Sequence, residues 1–132
     1  MGPGGSDMRA LAVFLQSPDV NLPGITVVIG AGWRDEEVVH ALRLLELLGR
    51  TDIRVYPGAT HPLWRTREWT RLASQMYGGV VWKARGAPPV DRVRPLAEGD
   101  PSSKPADEDA AHFMIRVVHR WQRAADEYSP GD

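Results

Sequence analysis

GITVVIGAGWRDEEVVHALRLLELLGRTDIRVYPGATHPL, residues Gly24–Leu63, decides the fold. Ile25–Ile29 is a β-branched run of the kind a strand buried on both faces carries. Gly30-Ala31-Gly32 breaks it. Asp35 is the expected N-cap of a following helix, with Glu36 and Glu37 in a first turn where the helix dipole favours negative charge. Val38, Ala41, Leu42, Leu45 and Leu48 recur at helical spacing, and Gly49 closes the helix as its C′ residue. Ile53–Tyr56 reads as the next strand, stopped by Pro57-Gly58. The unit is β-α-β, which predicts an α/β fold with a parallel sheet and a right-handed crossover.

The other elements extend outward from this unit. Ser6–Gln16 reads as a helix capped by Ser6 or Asp7, with Ala10, Leu11, Phe14 and Leu15 as its buried stripe and Ser17-Pro18 ending it. Thr66–Tyr77 reads as a helix with Trp69, Leu72, Ala73 and Met76 on one face. Val80–Lys83 is a short strand or an extended segment. Residues 86–106 form a loop, proline-rich over Gly86–Pro105 and long for a compact domain, in keeping with a flap or a mobile segment. Asp107–Ala125 is the last helix, with Ala110, Phe113, Met114, Val117, Val118 and Trp121 expected to face inward. Residues 126–132 are a polar tail.

Composition narrows the function classes. The 132 residues make one domain, 42% hydrophobic and 25% charged, in the ordinary globular range. Sixteen basic and seventeen acidic residues leave a net charge of −1, without the electrostatic footprint of a nucleic-acid or anionic-membrane binder. Zero cysteines exclude disulfides, thiolate metal sites and a cysteine nucleophile. No apolar run reaches the roughly 20 residues that span a bilayer, and Met1–Gly5 lack a signal-peptide pattern. The expectation is a soluble cytoplasmic protein.

Gly24-Ile25-Thr26-Val27-Val28, the helix Ala41–Arg50 and the run Thr51–Leu63 together resemble the N-terminal part of the inosine/uridine-preferring nucleoside hydrolase family. That family shows a G-[IV]-T-x-V strand, a helix close to ALRLLELLGR, and then T-D-I-x-V-x-x-G-A-x-x-P-L. The likeness extends upstream through Asp7–Ala12 and downstream through Lys104–Arg120. It implies an incomplete nucleoside-hydrolase-like, Rossmann-like parallel sheet with flanking helices. In the family a further strand precedes the Asp7 segment and lies centrally, and this chain starts too late to supply it.

The resemblance also implies a chemistry. The family's D-x-D-x-x-x-D-D cluster holds calcium and ribose, because a hard cation prefers carboxylate oxygens and can orient the attacking water. On this sequence the last acid is Asp7. The preceding one falls on Ser6, the second on Gly2, and the first precedes Met1. Asp7 is thus the one metal ligand carried over, with a helix-start acid stabilised by the dipole as its alternative reading. Where the family places Asn or Asp after the strand's glycine, Ala31 stands here. The family's G-P-L-T-N segment and its later His-Asp pair lie beyond this chain's end.

Other motifs read more simply. Gly30-Ala31-Gly32 lacks the third glycine of a dinucleotide fingerprint, and Asp35, Glu36 and Glu37 would repel a phosphate, so a plain strand-to-helix turn is expected. Glu108, His112 and His119 fall on one helix face without a zinc-type pattern and read as solvated. His61 lies in a turn before Pro62, and His40 on a helix surface. Five tryptophans, at 33, 64, 69, 82 and 121, read as packing rather than base stacking, with Trp33 and Trp64 able to line a pocket or an interface.

Two function classes follow. The resemblance implies hydrolysis of the N-glycosidic bond of a ribonucleoside to ribose and base, with calcium as cofactor and an activity impaired or absent in so short a chain. The alternative is a non-catalytic truncated relative acting as a protein-interaction module, including a homo-oligomer paired through an exposed sheet edge.

Overall fold

The computed structural model describes residues 6–30, 32–60 and 95–127, together with positions 63, 72, 75 and 76. Among these, three helices and two strands have defined boundaries: α1 Ser6–Gln16, β1 Ile25–Val27, α2 Arg34–Leu47, β2 Val55–Pro57 and α3 Ala110–Glu127. β1 and β2 pair in parallel with Ile25 opposite Val55, Thr26 opposite Tyr56 and Val27 opposite Pro57. The parallel β-α-β unit expected from the sequence is therefore present.

The two-residue period of a strand distributes the sheet's side chains between two layers. Val55 packs with Ile25, Val27 and the inward stripe of α2 (Val38, Ala41, Leu42, Leu45), and Leu11 and Leu15 of α1 join the same cluster. Tyr56 points the other way, into a smaller cluster with Ala106, Ala110 and Phe113. Leu45 and Val55 are the largest fully buried side chains. Each contributes about 2 kcal/mol of hydrophobic stabilisation.

Hydrogen bonds explain where the elements stop. α2 ends in a Schellman motif, in which the Gly49 N–H donates to the Glu46 carbonyl at 3.1 Å and the Arg50 N–H to the Leu45 carbonyl at 2.8 Å. The motif needs a left-handed residue, and Gly49 supplies it at φ +66°. Arg50 then ties α1 to the unit. Its Nη1 donates to the Leu15 carbonyl at 2.6 Å, while Nε and Nη2 hold the two carboxylate oxygens of Asp52. Arg43 and Glu46, one turn apart on α2, pin residues 98–103 through the Glu98 carbonyl and the Ser102 and Ser103 amides. That strap delivers Ala106 to β2, where its N–H donates to the Val55 carbonyl at 2.8 Å.

Several expectations need correction. The first strand ends at Val27 rather than Ile29, and the second runs Val55–Pro57. The N-cap of α2 is Trp33, in extended geometry and without a side-chain cap, because the Asp35 carboxylate is engaged by the Arg34 guanidinium at 2.6–2.8 Å. α3 starts at Ala110, not Asp107. Asp109 caps it by accepting from the Ala111 and His112 amides at 2.8 and 3.1 Å.

Burial corrects the expected stripes as well. On α1, Leu11 and Leu15 are buried but Ala10 and Phe14 are exposed. On α3, Ala110 and Phe113 are buried and Val117 is half-buried, whereas Met114, Val118 and Trp121 are exposed. The reason is size. An 18-residue helix is about 27 Å long, and the two strands among the described residues, about 4.8 Å apart, offer little breadth to cover it. Of the expected helix Thr66–Tyr77, Leu72, Gln75 and Met76 are described as helical, and all three are exposed. Trp64, Trp69, Ala73, the segment Val80–Lys83, the part of the long loop before Pro95 and the end of the tail lie outside the described residues.

Candidate functional site

Ligands of open parallel sheets collect outside the carboxyl ends of the strands. Here that edge is built by the exits of β1 and β2. The Gly58 N–H donates to the Val27 carbonyl at 2.7 Å and the Ile29 N–H to the Ala59 carbonyl at 3.0 Å, so the two exits stay paired beyond the strands. A side chain at Gly58 would meet Val28 Cγ1 at 2.7 Å, which keeps this crossing narrow. Arg34 at the start of α2 donates to the Gly58 carbonyl at 3.0 Å and locks the helix onto the β2 exit.

One acid of the α2 start turns inward. Glu37 is 3% exposed, and the turn after β1 presses on it so closely that a Cβ on Gly32 would lie 1.9 Å from its Oε1. Burial pushes its carboxyl up to about 7, and the negative charges of Glu36 and Asp7 push in the same direction. The sequence carried a signal for Glu37. It lies one turn before Ala41 and two before Leu45, on the inward stripe of α2. A carboxyl pressed against Gly32 would repel a phosphate, and the Gly30 N–H donates to the Gly32 carbonyl at 3.3 Å, in keeping with a strand-to-helix turn.

Asp7 is in the first turn of α1 and exposed. Among the described residues, no three His, Asp or Glu side chains converge as metal ligands. Ala31 and His61, the other positions weighed from the sequence, lie outside the described residues. Trp33 is half-buried at the N-cap of α2. His40 is not a free surface residue: its side chain is 14% exposed and its Nδ1 lies 3.9 Å from Glu98 Oε1. Glu108 and His112 have separate partners, Arg116 and Asp109, on an exposed face. The Asp109 carboxylate holds His112 above its ordinary range.

A cavity of about 480 Å³ opens beside this edge, between α2 and the strap. Arg34, Asp35 and Val38 line one wall, Pro57 the end of β2, and Asp100 and Ser103 the strap. Apolar walls with a few polar groups suit a small polar molecule with a hydrophobic face.

These features define an α/β chain with one acid, Glu37, buried at the carboxyl edge of its parallel pair. It belongs to the inosine-uridine preferring nucleoside hydrolase family, whose pattern matches residues 1–128. It is 41% identical over 116 residues to a pyrimidine-specific ribonucleoside hydrolase RihA of Salmonella newport, covering 88% of this chain and 33% of that protein. It is 31% identical over 113 residues to a probable uridine nucleosidase 2 of Arabidopsis thaliana, covering 86% of this chain and 31% of the relative. Among solved structures, a purine-preferring ribonucleoside hydrolase from Gardnerella vaginalis superposes with a TM-score of 0.56 at 26% identity, over 86% of this chain and 34% of that one. The chain thus spans about a third of the length of the relatives it matches.

Proposed function

We propose that this chain is a nucleoside-hydrolase-type domain portion that binds a ribonucleoside at the acidic carboxyl edge of β1 and β2. The family's reaction, by the resemblance, adds water across the N-glycosidic bond, leaving hydroxyl on the ribose carbon and hydrogen on the base. The observation that carries this reading is the family match over residues 1–128 on a fold that buries Glu37 against the turn after β1 at that edge. In this reading Asp7 is a calcium ligand. The described donor set does not fit a calcium ion unaided, since Asp7 offers one carboxylate against the six to eight oxygens such a site needs. Hydrolysis by this chain alone is therefore impaired or absent. A cytoplasmic setting belongs to the same reading and rests on the cysteine-free sequence.

Calorimetric titration of calcium into metal-free protein, with and without ribose, tests it. Saturable binding strengthened by ribose and weakened in Asp7→Ala supports the reading. A flat titration with no nucleoside cleavage removes calcium and Asp7 from it and leaves a non-catalytic relative.

A further inference from the structure

A second cavity, of about 590 Å³, lies between α3 and the segment that enters β1. Ala110, at the start of α3, stands against the β2 exit, where a Cβ on Gly58 would lie 3.1 Å from the Ala110 Cβ. Phe113, one turn later, stands against Gly24 at the entry to β1. α3 therefore runs against the strand direction. Its later turns reach the amino ends of the strands, where Asn21 and Pro23 form the facing wall of the cavity. This cleft is at the opposite end of the sheet from the carboxyl edge.

The α3 wall of the cleft is part apolar and part cationic. Val117, Trp121 and Ala124 give it an apolar surface, and Arg116 and Arg120 stand on it one turn apart. Like charges at that spacing repel. Glu108 neutralises one of them, since its two carboxylate oxygens accept from Arg116 Nε at 3.0 Å and Nη2 at 2.6 Å. Arg116 also lies 5.4 Å from the centre of the Phe113 ring. Arg120 has no such counter-charge: among the described residues its side chain makes no hydrogen bond or ion pair.

We propose that this cleft binds a small aromatic carboxylate, its carboxylate on Arg120 and its ring on Trp121 and Pro23. One open guanidinium fork matches one monoanion, because a carboxylate takes two parallel hydrogen bonds from it. The ring follows from the rest of the lining. Trp121 is 61% exposed, and a flat ring laid on it removes apolar area of both partners from water. The volume falls within the range, about 300–1,000 Å³, of sites that enclose small molecules. The inference stands apart from nucleoside hydrolysis, which concerns the other end of the sheet.

Calorimetric titration of the full chain with 2-naphthoate, 2-naphthylmethanol and 2-naphthyl phosphate tests it. Saturable binding of the carboxylate is expected, weaker by roughly tenfold or more in Arg120→Gln and partly restored in Arg120→Lys. Circular dichroism should be unchanged, because position 120 is exposed and has no partner to lose. Trp121→Leu should weaken binding as well, as a second and independent variant. Amide shifts on adding 2-naphthoate are expected at Asn21 and from Arg116 to Ala125. No saturable binding, equal affinity in Arg120→Gln, or an alcohol that binds as tightly as the carboxylate overturns the proposal. Tighter binding of the phosphate ester overturns the carboxylate assignment, and shifts confined to Gly30–Glu37 overturn the location.

Discussion

Glu46 and Ser103 are joined twice through one carboxylate oxygen: Glu46 Oε1 accepts from the Ser103 backbone N–H at 2.7 Å and from its hydroxyl at 2.8 Å. The Ser102 amide donates to the same oxygen at 2.7 Å, and Arg43 holds the other oxygen at 3.1 Å. These contacts fasten the strap that brings Ala106 to β2.

The hydrogen bonds from Ser103 lead the effects that lower the Glu46 carboxyl from 4.5 to about 2. An acid depressed in the fold stabilises it above the unfolded value and loses that contribution as pH falls through the folded one. Wild-type thermal midpoints are therefore expected to drop between about pH 4.5 and 2. Glu46→Gln starts lower at neutral pH and loses less across that window. Parallel melting curves for the two proteins contradict the latch.

Glu37 gives the opposite slope. Its carboxyl is raised from 4.5 to about 7, so the fold binds the proton more tightly than the unfolded chain. Its contribution falls as pH rises from about 4.5 to 7. Glu37→Gln is expected to flatten that fall and to be more stable than the wild type at pH 8. Urea denaturation at pH 5 and pH 8 measures both proteins.

Gly24 lies beneath the aromatic pair that seats α3. A Cβ there would stand 2.6 Å from Tyr56 Cε2 and 2.7 Å from Phe113 Cζ, and both rings are buried. Gly24→Ala is expected to cost about 1–3 kcal/mol. Protection from amide exchange should be lost in α3 first and preserved in α2. Equal loss in both helices counts against this account.

Val55 has no exposed surface and sits where α2 meets the sheet. Val55→Ala is expected to cost about 2–3 kcal/mol through lost burial and the cavity left behind. Denaturant titration provides the figure, and a cost near zero excludes Val55 from the centre of the core.

The β-α-β unit was legible because its signals are local. Gly49 needs a left-handed conformation, and the stripe from Val38 to Leu45 repeats at helical spacing. The inward faces of α1 and α3 were legible in part: Leu11, Leu15, Ala110, Phe113 and Val117 turn inward as expected, but periodicity shows that Phe14, Met114, Val118 and Trp121 are apolar without showing what lies against them. The start of α2 depended on one side-chain contact, the Arg34 hold on Asp35, which competes with capping and leaves no mark in the sequence. At the site, the family pattern singled out Asp7. Glu37 was marked by its place on the inward stripe one turn before Ala41, but it stands among three successive acids, each 100° of helix rotation from the next, that read together as a dipole-stabilised first turn.

The stack of Tyr56 on Phe113, centroids 3.8 Å apart with the Arg116 guanidinium 5.4 Å from the Phe113 ring centre, belongs to a cluster separate from the one that joins α1, β1, α2 and β2. The hydrophobic interior is thus split by the sheet itself into a larger and a smaller compartment. Breathing follows the split: α3 can lift from Tyr56 while the larger compartment stays shut. Such an opening would turn Phe113 and Val117 outward beside the exposed Met114, Val118 and Trp121, joining buried and exposed apolar surface into one adhesive patch.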